Sequence, residues 1–319
     1  MHYSVWADVS KLVEQAKHAP DWERLSEIVG GGCTYEAHSD WDEFTNGGSF
    51  YGGGTNEVIS KFLGPHEYEA KVIANIERQL ENENFFRKKF VFKNRQIQGQ
   101  KVDIPRYLNG DQRYWFSVKK VPMPNRAVRL FAPMGGIARV SQSEMAVCGA
   151  LTCAVCEALE SNGINVELWA CCCVGSVANF HGKATDEQRR FGRSQIKNHD
   201  LCQLVKIKDS SQYCDYGMIN YITGDSGFYR NIIFKDRICA LMNTAESTGM
   251  YYSNCGCSYN FTRECIPKDE DYNSEADIVI PRIYNIDEAK HWLDENLDKA
   301  IANVNELAER NEEEQQQPT

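Results

Sequence analysis

The chain lacks an apolar run long enough to cross a membrane. Its longest strongly apolar stretch, from Met145 to Leu159, also carries Cys, Thr and Gly and is shorter than the roughly 20 residues that a bilayer requires. The first residues lack the basic and continuous apolar segments of a secretory signal. We therefore expect a cytoplasmic protein with no membrane partner.

Known catalytic motifs are also missing. The sequence contains no G-x-x-x-x-G-K-[ST] phosphate loop, no G-x-S-x-G nucleophile turn, no H-E-x-x-H metal motif and no G-x-G-x-x-G dinucleotide loop. The seven histidines are scattered, and none has the spacing of a ligand pair. The sequence thus predicts no catalytic residue, no cofactor and no bound metal.

A surplus of positive charge is absent as well. With 35 Lys and Arg against 45 Asp and Glu, the net charge of −10 argues against a surface that is broadly adhesive for nucleic acid or anionic membrane. It does not exclude a local basic groove. The thirteen cysteines are odd in number and Cys171 to Cys173 are consecutive, which favours reduced core thiols over a disulfide framework.

Residues 1–124 are predicted to form a loop-rich α+β region. Glycine clusters interrupt short helical patterns in its first half, and an amphipathic helix is predicted from Glu67 to Glu83. A strand-like run, Phe85 to Arg95, follows this helix. We place the domain boundary near Pro122 and Pro124 because prolines interrupt regular structure.

Residues 125–310 are predicted to form an α/β domain with a mainly parallel central sheet flanked by helices. Ser141 and Glu144 form a capping box that starts a helix, which is apolar on almost every side and ends at Gly163. The last helix starts near Asp287, and residues 311–319 are predicted to form a disordered acidic tail. The predicted strands are Ala127 to Ala132, Ile164 to Val174, Leu201 to Ile207 and Asp277 to Ile280.

This pattern of elements resembles a divergent von Willebrand factor A-type domain. The resemblance rests on the strand from Val128 to Ala132, the loop with Ser141 and Ser143, the buried helix and the strand from Asn165 to Cys171. Domains of this type commonly hold a divalent cation through an Asp-x-Ser-x-Ser loop. Here Arg139 stands where the Asp is expected, so we predict no metal at that loop.

Two segments of the N-terminal region resemble proteins encoded by tailed bacteriophages. They are Gly32 to Ala37 and Gly99 to Gly110, and the proteins that they resemble are uncharacterised. The resemblance implies a phage accessory protein that acts in the cytoplasm of the host cell. It carries no chemistry over to this chain.

The run from Phe85 to Arg95 interleaves aromatic side chains, which can stack on bases, with cations that can neutralise phosphates. The stretch from Arg113 to Lys120 has the same character. An edge strand with its aromatics in the core and its cations in water is the alternative interpretation. The candidate nucleic-acid contacts are Arg87, Lys88, Lys89, Phe90, Phe92, Lys93, Arg95, Arg113 and Trp115.

Two further groups of residues are weaker candidates. Gly135, Gly136 and Arg139 precede the buried helix and could bind an anion through free backbone amides. Cys255, Cys257 and Cys265 could offer three thiolates to zinc, with Cys214 or Cys239 as a fourth ligand, but their spacing is not that of a zinc motif.

The leading functional hypothesis is a non-enzymatic binding protein. Its ligands would be single-stranded DNA and a protein partner such as a polymerase. The run from Phe85 to Arg95 and the acidic tail, which resembles the acidic tips of single-stranded DNA-binding proteins, motivate this hypothesis. A module that binds only protein is the first alternative, and an enzyme with an unrecognised site is the second.

Overall fold

A computed structural model describes eight longer stretches of the chain with their side chains and several short pieces by their backbone alone. The first group is residues 3–18, 53–64, 127–135, 140–173, 201–237, 239–240, 261–267 and 276–310. The second is residues 2, 95–96, 101–102, 115–116, 174, 176–177, 251–252, 258–259 and 311–316. The predicted helix from Glu67 to Glu83 lies outside these residues.

Four strands of the central sheet are long. They are β1 (His2–Trp6), β5 (Ala127–Pro133), β6 (Asn165–Val174) and β8 (Leu201–Lys208). The other described strands each have two residues: β2 (Arg95–Gln96), β3 (Lys101–Val102), β4 (Trp115–Phe116), β7 (Ser176–Val177), β9 (Tyr251–Tyr252), β10 (Ser258–Tyr259) and β11 (Ile278–Val279).

The central sheet is mixed but mostly parallel. Among the described residues its strand order is β1-β8-β6-β5-β11, and β10 pairs with the end of β6. The pairs β1–β8, β5–β6 and β5–β11 are parallel, whereas β6–β8 is antiparallel. The α/β class predicted from the sequence is confirmed at this level.

Five α-helices accompany the sheet in the described part of the chain. They are α1 (Val9–Lys17), α2 (Thr55–Leu63), α3 (Gln142–Ser161), α4 (Tyr216–Gly224) and α5 (Ile286–Gln316). A π-helical segment, Phe228–Ile233, is flanked by α-helical residues 226–227 and 234–237, and a short 3-10 helix spans Arg263–Cys265.

Helix α3 connects β5 to β6, and its start and end are as predicted. The Ser141 side chain accepts from the Glu144 amide, and the Glu144 carboxylate accepts from the Ser141 amide at 2.7 Å. Gly163 follows the helix with φ +78°, a conformation that only glycine adopts without strain. The helix is buried on most of its surface, as its apolar composition predicts.

The two faces of the sheet have different cores. Ala170 and Cys172 face the side that carries α1, α2 and the π-helical segment. Cys171 and Cys173 pack on the opposite side with residues such as Phe131 and Phe261. The three consecutive cysteines thus alternate across their strand, and all three are buried free thiols.

The beginning of the chain belongs to this same core. β1 pairs with β8 from Leu201 to Val205, and α1 and α2 contribute Leu12, Val58 and other buried residues to the core that holds Cys172. The N-terminal region assigned to residues 1–124 therefore supplies elements to the sheet of the following domain. The boundary itself, at residue 124, lies outside the described residues and stays a prediction.

A buried ion pair attaches β11 to its neighbour. Arg129 of β5 donates from Nε and Nη2 to the two carboxylate oxygens of Asp277, at 2.9 and 2.8 Å. Burial raises the pKa of Asp277, and the hydrogen bonds from Arg129 oppose that shift. Removing one partner of such a buried pair typically costs about 3–5 kcal/mol because the other charge stays buried.

The C-terminal helix extends further than the sequence analysis predicts. α5 runs to Gln316, so residues 311–316 of the predicted disordered tail are helical. The physical reason is that Glu and Gln, which dominate this segment, have favourable helix propensities. Within the described part of the chain, no helix is both long enough and apolar enough to cross a membrane.

Helices α3 and α4 approach closely because glycines line their contact. A Cβ placed on Gly149 would lie 2.1 Å from Asn220 Oδ1, and one on Gly224 would lie 3.2 Å from the Gly149 Cα. Asn220 Oδ1 is buried and accepts no hydrogen bond from the described residues. Its close neighbours are instead the two glycine backbones.

We expect Gly149→Ala to lower the free energy of unfolding by about 1–3 kcal/mol, because the added methyl group overlaps Asn220 and forces the helices apart. Urea unfolding of Gly149→Ala, Asn220→Ala and the double variant measures the effect. The double variant should lose less stability than the sum of the two single losses. Strictly additive losses would contradict this account of the contact.

Candidate nucleic-acid interface and a buried arginine cluster

The two basic aromatic stretches of the N-terminal region meet in one small sheet. β4 lies between β2 and β3, and both pairings are antiparallel. Arg95 pairs with Phe116, and Gln96 pairs with Trp115. The end of the Phe85 to Arg95 run is thus a backbone neighbour of the Arg113 to Lys120 stretch.

Most of the predicted nucleic-acid contacts lie outside the described residues. These are Arg87, Lys88, Lys89, Phe90, Phe92, Lys93 and Arg113. Arg95 and Trp115 are described by their backbone alone, in β2 and β4. The structure therefore brings the two stretches together by backbone pairing, and the roles of their side chains stay predictions.

The predicted anion loop follows β5 at the carboxyl ends of the parallel strands. Gly135 has φ +74°, and a Cβ there would lie 2.2 Å from the ring of Tyr229. The hydroxyl of Tyr284 donates to the Gly135 carbonyl at 3.3 Å. Gly136 and Arg139 lie outside the described residues, so anion binding by this loop stays a prediction.

The start of α3, next to this loop, is occupied by its own side chains. The Ser141 hydroxyl lies 2.6 Å from Glu144 Oε2, and the Ser141 and Ser143 hydroxyls are 3.1 Å apart. Arg230 of the π-helical segment donates to the carbonyl of Val140, just before the helix, at 2.8 Å. A carboxylate therefore already occupies the position that a bound anion would take at this helix end.

A cluster of two arginines, a tyrosine and a cysteine lies behind the loop. The Nη2 atoms of Arg237 and Arg282 lie 3.4 and 3.9 Å from Cys172 Sγ. Arg237 also donates to the Tyr229 hydroxyl at 3.2 Å, and its guanidinium lies over the Tyr229 ring, 5.5 Å from the centroid. We call these four residues the arginine cluster.

Burial sets the electrostatics of the arginine cluster. It raises the pKa of Tyr229, and the positive charge of Arg237 opposes this shift. Burial alone would lower the pKa of Arg282, but the nearby Cys172 and Tyr229 outweigh it and the pKa is raised. The Arg282 guanidinium therefore stays charged and the Tyr229 phenol stays neutral at physiological pH.

A buried carboxylate extends the network to the first strand. Asp236 accepts from Gln203 at 2.6 Å, from the Ser4 hydroxyl at 2.9 Å and from the Trp6 indole at 3.0 Å. Gln203 in turn accepts from Arg237 Nε at 3.0 Å. The network joins β1, β6, β8, the π-helical region and the residues after β11.

These contacts indicate that Arg237 has a structural role. Its side chain is buried, with 2% of its surface exposed, so it contacts a polymer only if its surroundings move. Sequence reasoning missed the whole cluster. A signal exists in the mainly apolar run from Phe228 to Met242, where the charged residues Arg230, Lys235, Asp236 and Arg237 occur among apolar ones and so indicate buried charges.

The three candidate zinc ligands that the structure describes, Cys214, Cys239 and Cys265, are not brought together. Cys255 and Cys257 lie outside the described residues, and Cys265 contacts Cys173 and Cys202. Cys214 contacts Cys156 of α3, and Cys239 accepts from Gln15 of α1, on the other side of the sheet from Cys265. Across the described ranges, no group of three or more His, Cys, Asp or Glu side chains has a metal-binding geometry.

Comparison with known proteins adds a family but no activity. The model of a family described as a domain of unknown function, DUF7192, matches residues 1–300. The chain belongs to the DUF7192 family. No curated protein and no solved structure matches it. The match begins one residue before β1 and ends within α5, so the DUF7192 domain includes both the small sheet and the arginine cluster.

We expect the stability that depends on Asp236 to rise as the pH falls. Burial, its largest influence, raises the pKa of Asp236, so the folded protein binds this proton more tightly than the unfolded chain does. Ionisation above the raised pKa therefore destabilises the fold. The unfolding free energy of wild type minus that of Asp236→Asn should therefore increase as the pH is lowered from 7 to about 4.

Urea unfolding of both proteins at several pH values measures this difference. All other carboxyl groups titrate in both proteins, so the subtraction isolates Asp236. If wild type minus Asp236→Asn decreases at low pH, the hydrogen-bond donors around this carboxylate lower its pKa instead.

Proposed function

We propose that the protein is a non-enzymatic binding protein for single-stranded DNA. The observation that carries the proposal is the backbone pairing of β2 with β4, which makes the two basic aromatic stretches neighbours in one sheet. A sheet that presents aromatic rings between cations suits single strands, because bases stack on the rings while the cations neutralise phosphates.

The charge distribution supports a local surface. The protein carries a net charge of −10, so general attraction to a polyanion is weak or absent. Lys88, Lys89 and Lys93 concentrate positive charge within six residues. Binding through such a patch should depend steeply on salt, because each phosphate contact releases condensed counterions.

We also propose that the α/β domain is a divergent von Willebrand factor A-type domain. The strand order β8-β6-β5-β11, with only β8 antiparallel, and the buried helix between β5 and β6 support this assignment. The donor set does not suit a divalent cation, because Arg139 replaces a carboxylate and the Ser141 hydroxyl already contacts Glu144. The domain would then serve as a surface for a protein partner such as a polymerase.

The two N-terminal segments that resemble phage proteins lead us to propose that the protein acts in an infected bacterial cell. A partner in replication would fit a protein that coats or protects single strands. Affinity capture from infected cells, with the chain as bait, tests this part of the proposal.

We expect the triple variant Lys88→Glu, Lys89→Glu, Lys93→Glu to bind a labelled single strand about tenfold or more weakly than wild type at low salt. The slope of log affinity against log salt should become shallower by about 0.7 for each phosphate that the variant no longer neutralises. Fluorescence anisotropy across a salt series measures both quantities, with duplex DNA as a second ligand.

The matched control reverses three exposed lysines on three helices, Lys11, Lys61 and Lys299. It changes the net charge equally and should keep most of the affinity. Equal losses of affinity in both variants would indicate a general charge effect, and absence of binding by wild type at low salt would remove the proposal in favour of a protein partner.

We expect magnesium and manganese ions to leave the melting temperature within about 1 °C of its value in chelator. A ligand that binds only the folded state at 100 times its Kd would add about 2.7 kcal/mol of stability, which thermal unfolding detects readily. A rise of several degrees that is absent in the double variant Ser141→Ala, Ser143→Ala would contradict the assignment of a metal-free loop.

A further inference from the structure

Among the described residues, the first strand forms an edge of the central sheet that no other strand covers. β1 ends the strand order of the described residues, and its register with β8 runs without a bulge from His2 to Trp6. The strand contains no Lys, Arg, Asp, Glu or Pro. Natural edge strands usually carry such residues, or a bulge, because an open row of amides and carbonyls pairs readily with another strand.

On one face of β1 the side chains of Tyr3 and Val5 are apolar and exposed. Tyr3 and Val5 expose 41% and 50% of their surface. Their neighbours in β8, Cys202 and Leu204, are buried on the same face of the sheet. In the described part of the chain the cover over this face is therefore incomplete at β1, and part of the apolar row stays in contact with water.

On the other face of β1 the side chains of Ser4 and Trp6 hold the strand in one register. Ser4 and Trp6 alternate with Tyr3 and Val5 and both donate to the buried Asp236. A shift by one residue would exchange the two faces and break these bonds. The exposed edge is therefore rigid, and a partner strand meets it with little cost in conformational entropy.

We propose that a second copy of this chain binds along β1, with the two β1 strands antiparallel about a twofold axis at Ser4. The strand is complementary to itself, because the reversed copy sets Tyr3 beside the partner's Val5 and Val5 beside the partner's Tyr3. Aromatic and β-branched residues form favourable cross-strand pairs, and a twofold axis repeats the pair. No charged side chain of β1 opposes the contact.

The proposed dimer does not depend on DNA binding, and salt should affect dimerisation and DNA binding in opposite directions. Two chains of net charge −10 repel each other, so salt that screens the repulsion should strengthen the dimer. The same salt should weaken phosphate contacts. The two proposals can thus fail independently.

Sedimentation velocity of the full chain over a range of concentrations tests the dimer. We expect wild type to sediment as a monomer–dimer mixture at micromolar concentration and Val5→Lys to stay monomeric. The matched control is Leu63→Lys, because Leu63 is apolar, exposes 71% of its surface and lies on α2 instead of the edge. It should associate as wild type does.

Cross-linking tests the register. Facing residues of an antiparallel pair have Cβ atoms about 4.5–5.5 Å apart, so a small approach of the two strands reaches the roughly 3.5–4.5 Å of a disulfide. A mixture of Tyr3→Cys and differently tagged Val5→Cys chains should form the mixed disulfide faster than either variant alone, with oxidised wild type as the background. A monomeric wild type, a dimer that survives Val5→Lys, or equal cross-linking in all samples would overturn the proposal.

Discussion

The fold depends on the burial of α3. This helix is apolar on almost every side, so a single sheet face cannot remove enough of its surface from water. β5 and β6 lie on one side of it, α4 approaches a second side through Gly149, and α5 covers a third with residues such as Leu293 and Val304. The hydrophobic effect on one helix therefore assembles parts of the chain that are far apart in sequence.

Buried polar groups then determine how these parts are oriented. Asp236 takes donors from Ser4, Trp6 and Gln203, and Arg129 pairs with Asp277 across 148 residues of sequence. Each of these groups costs free energy when it is buried alone, so only the arrangement that satisfies all of them is stable. The ends of the sheet, β1 and β11, are both held by such contacts.

The same constraint separates the interior of the domain from its working surfaces. The arginine cluster lies at the carboxyl ends of the parallel strands, where α/β proteins often bind ligands, but Arg237 is committed to Tyr229, Gln203 and Cys172. Two of the proposed DNA contacts, Arg95 and Trp115, belong instead to the small sheet of β2, β3 and β4. The proposed dimer contact lies on β1, whose rigid register is itself a product of Asp236.

Local patterns in the sequence determined the main elements around the sheet core, β5, α3, β6 and β8. The capping box at Ser141, the turn at Gly163 and the apolar runs of β5, β6 and β8 act over a few residues, so a linear reading predicts them. The helical continuation to Gln316 departs from the prediction because acidic, Gln-rich segments suit both a helix and a disordered tail. Tertiary structure alone decided that β1 joins the C-terminal sheet, that Arg237 and Arg282 meet at Cys172, and that Cys265 contacts Cys173 and Cys202. These contacts join residues tens to hundreds of positions apart, and their partners are selected by packing and by the satisfaction of buried charge, which no short stretch of sequence encodes.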